Sequence, residues 1–333
     1  MPHSDKQHIL LKPLTLKSGI TLPHRIMPGP LEGVYSPLLI EAFNQLQLID
    51  YWIVPFIRLT TSIPRNKILN KRIKYFKKLN APLIVQIMGR EPELLTDASE
   101  RLWNLGIKAI NLNFACPSTK VLNSNGGASM LSNTKLMIDI IRSIRKRLPK
   151  ISISLKLRSG ISSTSEMNYF LPQLSKEDLD FIIFHFRTAN EMYKKVHHGA
   201  DTLKTAVNLS NKIPLIASGD IFSVEDSLSI VEKTNCMGIS PARGLIADPF
   251  LINKIKAKLT GNKLSIPKNP QITLLKKMYK IGKINPDINN KTFFIETALF
   301  FWGRNDPKFK KLLKLVNKNK FDKHEKRSMN NLL

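Results

Sequence analysis

The sequence predicts an α/β chain, a (β/α)8 TIM barrel followed by a small all-helical domain, and three observations predict it. Eight short apolar, β-branched runs recur over about 240 residues, with amphipathic segments between them. Polar residues gather at the C-terminal ends of those runs, the end at which such barrels build their sites. After Pro249 the pattern becomes helical and lysine-rich. A doubly wound sheet with fewer strands is the alternative.

The eight strand candidates are Arg25–Pro30, Tyr51–Leu59, Pro82–Met88, Ala109–Ala115, Ile151–Leu157, Phe181–Phe186, Pro214–Ala217 and Met237–Ser240. Helical patterns lie between them. Pro37–Leu46 is one, and Pro92–Leu105 is another, opened by a proline and closed by Gly106. Asn133–Leu148 carries Leu136, Ile140, Ile141 and Ile144 at helical spacing. Ser175–Asp180 is a short candidate, Thr202–Ser210 precedes the seventh strand, and Ser223–Lys233 opens on a serine cap with Asp226 three residues on. Beyond a polar linker at Asn262–Pro270, three helices are expected at Ile272–Lys280, Lys291–Trp302 and Asp306–Asn317, with Phe293, Phe294, Phe300, Phe301 and Trp302 on their apolar faces. The polar tail from Lys318 reads as frayed.

With 333 residues and 42% hydrophobic content, the chain has enough apolar surface for a sizeable core. No apolar run reaches the roughly 18 residues that span a bilayer, and no secretory signal is legible. Two cysteines, Cys116 and Cys236, make no disulfide framework and no metal-ligand spacing. A net charge of +27 creates a wide positive field that favours a polyanion, with nucleic acid the expected one. Lysines spread over every helix would only solubilise. The cations run together, however, at Arg65 to Lys78, Arg142 to Lys150, Lys254 to Lys268 and Lys308 to Lys326.

The stretch AINLNFACPSTKVLNSNGGASM, Ala109 to Met130, concentrates the chemistry. Asn111 and Asn113 interleave with apolar residues at period two, and Pro117 stops the strand. Cys116 stands where strand gives way to loop, ahead of the pair Gly126-Gly127, which lets backbone approach a ligand closely. A thiol there suits proton donation to carbon or nucleophilic attack, and a buried core cysteine is the plain alternative. Glu32, Arg58, Gln86, Asn113, Lys156, Arg158, His185, Arg187, Asp220 and Arg243 occupy the other strand ends. Lys156 and Arg158 in ISISLKLR have a second reading, as outward-facing residues of the alternation. Ser218-Gly219-Asp220 and Ala242-Arg243-Gly244 end the seventh and eighth strands, where this fold commonly holds a phosphate.

Asn111-Leu112-Asn113-Phe114-Ala115-Cys116-Pro117-Ser118, followed by Gly126-Gly127-Ala128, resembles the signature N-x-N-x-x-C-P-S…G-G-A/G of the tRNA-dihydrouridine synthases. Pro30-Leu31-Glu32-Gly33, Val85-Gln86-Ile87-Met88-Gly89, Leu155-Lys156-Leu157-Arg158, His185-Phe186-Arg187-Thr188 and Ser218-Gly219-Asp220-Ile221 extend the likeness over roughly residues 25 to 315. Glu32-Gly33 and Phe56-Ile57-Arg58 resemble the bacterial C-type branch, the tRNA-dihydrouridine(16) synthases. Lys17–Ile26 also reads like the lead-in of old yellow enzymes, FMN barrels acting on small molecules.

That resemblance implies a lead-in over 1–24, an FMN-binding barrel over 25–260 and a helical tRNA-binding domain with a basic tail over 261–333. Pro30, Leu31 and Glu32 would border the flavin. Gln86 and Lys156 would hydrogen-bond its isoalloxazine ring, and His185, Ser218, Gly219, Asp220, Ala242 and Arg243 would line the ring and phosphate sites. Arg58, Asn113, Arg158 and Tyr193 would meet the target uridine or its tRNA, and Cys116 would be the general acid. The implied reaction is reduction of a D-loop uridine, position 16 favoured, with NADPH or NADH as the transient reductant. The partner is tRNA, with no membrane and no metal, and the protein is a cytoplasmic monomer. The alternatives are an FMN-dependent reductase of a small unsaturated carbonyl compound and a catalytically silent RNA-binding barrel. The sequence departs from the family pattern at Leu31, Phe114, Phe186, Ser218 and Ala242, where Met, Gly, Gly, Asn and Gly are usual.

Overall fold

A computed structural model describes residues 8–77, 81–122, 125–288 and 291–317. In chain order the elements are β1 (Leu14–Thr15), β2 (Thr21–Leu22), α1 (Pro37–Gln45), β3 (Trp52–Arg58), α2 (Asn66–Lys77), β4 (Leu83–Met88), α3 (Pro92–Asn104), β5 (Ala109–Phe114), α4 (Thr119–Leu122), α5 (Thr134–Arg147), β6 (Ser152–Arg158), α6 (Met167–Leu174), β7 (Phe181–His185), α7 (Gly199–Leu209), β8 (Leu215–Ser218), α8 (Val224–Thr234), β9 (Gly238–Ile239), α9 (Arg243–Ala247), α10 (Leu251–Thr260), α11 (Pro270–Ile284), α12 (Lys291–Trp302) and α13 (Pro307–Asn317). Two compact units result, residues 1–30 with 50–242 and residues 31–49 with 243–333.

The first unit is the parallel barrel. Strands β3 to β9 pair in sequence order, all parallel, with helices returning the chain between them. The expected first strand, Arg25–Pro30, is reduced to a single bridge between Ile26 and Ile239. Along β9 it does bond through backbone: Ile239 N–H donates to the Arg25 carbonyl (2.9 Å), Met27 N–H to Ile239 (2.7 Å) and Gly29 N–H to Pro241 (3.0 Å). The opposite edge lacks donors because the alternate residues Pro28 and Pro30 have no N–H to give. Side chains join that edge to β3 instead. The buried Tyr51 hydroxyl donates to the His24 carbonyl (3.1 Å), and His24 Nε2 meets the Asp50 carboxylate at 2.8 Å. Pro55 has a parallel effect inside β3, where the register shifts between Val54 and Ile57.

The β1–β2 hairpin plugs the N-terminal mouth. Leu14, Leu16, Leu22 and Met27 form one buried cluster with Tyr51, Ile53, Ile84, Ala109, Phe181, Ile183 and Ile216 from the strands. Lys17 N–H donates to the Asp180 carboxylate (2.5 Å), whose other oxygen accepts from Ile153 N–H (2.8 Å). Asp180 therefore ends a turn, and the helix expected over Ser175–Asp180 is absent. The helix lies upstream as α6, preceded by a 3-10 turn, Thr164–Glu166, that a capping box between Ser163 and Glu166 closes, and it is periodic in the buried residues Met167, Phe170, Leu171 and Leu174.

Ala242 departs from the family pattern, and its surroundings show where the added methyl goes. A Cβ built on Gly29 would lie 2.5 Å from Ala242 Cβ and 2.8 Å from its Cα, so the alanine packs on a bare glycine. Gly29→Ala is expected to destabilise the fold by about 1–3 kcal/mol. Adding Ala242→Gly should recover part of that loss, and urea denaturation of the two variants measures both effects.

The second unit is helical. α1 buries Leu38, Leu39, Ile40, Ala42 and Phe43 and packs against α11, which buries Leu274, Leu275, Met278 and Ile281. Trp302 Nε1–H donates to Gln271 Oε1 (2.8 Å), and Gln271 Nε2–H donates to the Ala247 carbonyl (2.8 Å). Of the aromatics expected on apolar faces, Phe294 is buried while Phe300 is half exposed. The tail from residue 318 lies outside the described residues. No helix among the described residues is long and apolar enough to cross a membrane.

Candidate active site

Alternation along the strands gives the barrel interior a gradient. The inward residues are apolar near the hairpin and polar toward the C-terminal mouth: Gln86 on β4, Asn111 and Asn113 on β5, Ser154, Lys156 and Arg158 on β6, His185 on β7 and Ser218 on β8. Registers align them in tiers. Gln86, Asn111 and Ser154 stand side by side, Asn113 stands beside Lys156, and Arg158 stands beside His185, which neighbours Ser218. Lys156 and Arg158 thus face the interior, and their outward-facing reading is excluded.

Cys116 leaves β5 at this mouth, partly exposed, whereas Cys236 is buried and its thiol is pushed up by burial. The Asn113 side-chain oxygen accepts both Ala115 N–H and Cys116 N–H at 3.0 Å, which turns the chain at the cysteine. The Cys116 carbonyl accepts Ala128 N–H (3.0 Å). Gly127 has φ +56°, and a Cβ there would sit 2.6 Å from the Cys116 carbonyl oxygen. Its close approach is to its own cysteine loop.

Two arginines brace the mouth. Arg158 is buried and donates from Nε to the Ala115 carbonyl (2.9 Å) and from Nη1 to the carbonyls of Thr188 (2.8 Å) and Met192 (3.3 Å). Its guanidinium carbon lies 5.9 Å from the ring centre of Tyr193, which is 54% exposed. Burial lowers Arg158 to about 10 against the pull of Tyr193 and Cys116. Arg187, 1% exposed, grips Asp220 with both terminal nitrogens (3.0 and 2.5 Å) and donates from Nε to the Lys194 carbonyl (2.6 Å). Asp220 holds φ +45° directly after Gly219 at +115°, a turn in the left-handed region.

Lys156 has no hydrogen-bond partner among the described residues and keeps partial exposure. Burial, then Arg158, lowers it from 10.5 to about 8, with Cys116 opposing. His185 Nδ1 accepts Arg187 N–H (3.2 Å), which leaves the proton of its neutral form on Nε2. The Phe186 ring lies beside His185, with ring centres 5.3 Å apart, and under the Arg187 guanidinium at 4.7 Å, and it meets the Cβ positions of both Gly199 and Gly219. Ser218 Oγ donates to the Ser240 carbonyl (3.3 Å), and the buried Ser240 Oγ has no partner among the described residues. Arg58 Nη2 donates to the Lys120 carbonyl in the cysteine loop (3.0 Å). It also lines a cleft of about 210 Å³ with Leu59, Met88, Arg90, Glu91 and Gly126. Pro30 and Ala242 end the barrel unit, while Leu31, Glu32 and Arg243 belong to the helical unit, Glu32 exposed and Arg243 opening α9. Asn111, Ser154 and Arg187 complete the constellation beyond the implied site residues. The alternation of serines with Lys156 and Arg158 was the signal for Ser154.

Charge is also clustered. The solvent face of α2 exposes Lys67, Lys71 and Lys74 with no acidic residue anywhere in the helix, and Lys74 lies 4.6 Å over the Tyr75 ring. On α5, by contrast, Arg142 pairs with Glu177, and Arg147 with Glu93, Asp97 and Glu100. Among the described residues, no three His, Cys, Asp or Glu side chains are grouped to hold a metal ion.

A parallel α/β barrel with a thiol, a lysine and a histidine at its C-terminal mouth defines the class, and solved structures share the fold. Histamine dehydrogenase from Rhizobium sp. 4-9 is 14% identical with a TM-score of 0.60, covering 83% of this chain and 51% of its own. Morphinone reductase in complex with tetrahydroNAD is 13% identical with a TM-score of 0.53, covering 80% and 93%. The sequence model of the dihydrouridine synthase (Dus) family matches residues 29–331, and the chain belongs to that enzyme family. The tRNA-dihydrouridine(16) synthase of Vibrio vulnificus is 27% identical over 70% of this chain and 74% of its own. That of Pseudomonas syringae is 28% identical over 72% and 77%.

Proposed function

We propose that the chain is an FMN-dependent reductase of the C5=C6 bond of a tRNA uridine, with NADPH or NADH as the electron source and Cys116 as the proton donor to C5. The observation that carries this reading is the partly exposed Cys116 thiol at the same mouth as Lys156, which has no hydrogen-bond partner among the described residues. Position 16 of the D-loop is favoured because the relatives reported above carry that specificity in their names.

The residues at the mouth fit a flavin by the chemistry of their donors. Among the described residues, Gln86 has a spare amide N–H, the Lys156 ammonium has no hydrogen-bond partner and the buried Ser240 Oγ has none, while His185 adds an imidazole ring beside them. Gln86 and Lys156 would hold the ring, with His185, Ser218, Gly219 and Asp220 beyond them. The Phe186 ring lies beside His185 and against Gly219, and it takes no polar group away from this set. Bound there, reduced FMN would supply the hydride for C6. The chain's own part is to deliver the C5 proton from Cys116 and to present a cation at Lys156 toward developing negative charge. Asn113, with Tyr193 exposed at the rim, would receive the uridine, which must leave its stack to enter. The exposed lysines of α2, with no acidic residue in their helix, support a polyanionic partner, tRNA.

The test is to reduce the purified protein anaerobically and mix it with unmodified tRNA, free uridine or cyclohexenone. Flavin reoxidised by tRNA alone, with dihydrouridine mapped in the product, is the expected result. Reoxidation by the enone alone, or a protein without flavin, overturns the proposal.

A further inference from the structure

The buried amides beneath Cys116 form a hydrogen-bond chain whose direction is set by chemistry. Main-chain N–H groups only donate, so the Asn113 atom that receives Ala115 and Cys116 must be oxygen. Asn113 Nδ2 therefore donates to Gln86 Oε1 (2.8 Å), and Gln86 Nε2 donates to Asn111 Oδ1 (2.7 Å). Asn111 Nδ2 donates in turn to Ser154 Oγ (2.9 Å), whose proton goes to the Ile110 carbonyl (3.1 Å). Gln86, Asn111, Asn113 and Ser154 are all buried. Main chain anchors both ends, so reversing Gln86 breaks two bonds and reversing Asn113 breaks three.

We propose that Asn111 and Ser154 are positioning residues for the reaction at Cys116. They lie one tier deeper than Asn113 and Lys156 and act through Gln86 and Asn113. By fixing the amide polarity they hold the Asn113 oxygen on the cysteine turn. That oxygen is filled by two donors, so Asn113 offers a ligand only an N–H. A ligand beside Cys116 must present an acceptor there, as a uracil carbonyl does. The inference rests on the proposed function for its choice of Cys116 as the reacting thiol.

The experiment uses full-length flavin-loaded protein carrying Ser154→Ala or Asn111→Asp. Ser154→Ala removes one oxygen atom, and Asn111→Asp keeps the acceptor for Gln86 while losing the donor to Ser154. Two quantities are read: the rate of Cys116 alkylation by iodoacetamide, followed by peptide mass, and kcat and KM with unmodified tRNA. Both variants are expected to alkylate about fivefold faster and to lose about fivefold in kcat with KM unchanged, the factor one net hydrogen bond carries. Ser154→Thr, which keeps the hydroxyl, should restore the wild-type alkylation rate. Wild-type behaviour in either variant, or Ser154→Thr behaving as Ser154→Ala, overturns the proposal. If the wild-type protein makes no dihydrouridine, the functional reading fails, and the alkylation rates alone still decide whether the chain of amides holds the thiol.

Discussion

Cys116→Ala is expected to lower dihydrouridine formation about a thousandfold, within the range a positioned general acid contributes. Flavin content and the rate of flavin reduction by NADPH should stay at wild-type values. The geometry makes this a clean experiment. Asn113, Ala128 and Gly127 all engage the main chain of residue 116, through its N–H, its carbonyl and close packing. Removing the sulfur leaves every one of those contacts in place, so the loop keeps its course and only the proposed proton donor disappears. Stopped-flow measurement of the two half-reactions separates them. Unchanged turnover with tRNA would remove the acid role from Cys116.

Lys156→Met is expected to make the protein more stable and about a hundredfold less active. The loss matches removal of one preorganised charge facing a developing anion. The gain arises because Lys156 is desolvated, sits near Arg158 and has no hydrogen-bond partner among the described residues. A melting temperature about 3 °C above wild type corresponds to about 1 kcal/mol in a domain of this size. The sign with pH follows from its lowered value. Between about 8 and 10.5 the unfolded chain holds a proton that the native lysine has released, so this residue makes stability rise with pH across that window. Below about 8 both states hold the proton and the penalty is complete. Lys156→Met removes that slope, and activity dependent on the ammonium should decline as pH rises through about 8. Melting curves from pH 7 to 11 and a pH–rate profile check both signs.

Much of the site was legible because its residue types violate the pattern around them. Two asparagines in the apolar run Ala109–Ala115, and a lysine and arginine in ISISLKLR, announce an interior that is not dry at one end. Alternation separates Ser154, Lys156 and Arg158 from their neighbours but cannot say which set faces inward, since the helices on the outer face bury the other set as well. Pro28 and Pro30 carried the reason that the first strand pairs on one edge alone, and apolar character masked it. Two helices were obscured by composition. α2 buries only Leu69, Ile73 and Phe76 among its lysines, and α6 has its apolar spacing at Met167, Phe170, Leu171 and Leu174 masked by Pro172 within it. The packing of Phe186 on Gly199 and Gly219, and of Ala242 on Gly29, joins stretches far apart in sequence, where no local pattern can report it.

The plugged and ring-closed barrel also bears on how the protein is made. The bond from Lys17 to Asp180 spans 163 residues, and Ile26 meets Ile239, nearly the full length of the unit later. At about 5–20 residues per second of synthesis, roughly 10 to 40 s separate Ile26 from its partner on the ribosome. Throughout that interval the leucines of the hairpin, Leu14, Leu16 and Leu22, have no completed floor to enter. A nascent chain of this protein is therefore a natural client for chaperones until its ninth strand emerges, and strand order makes the ring the last part of the barrel to become resistant to proteolysis.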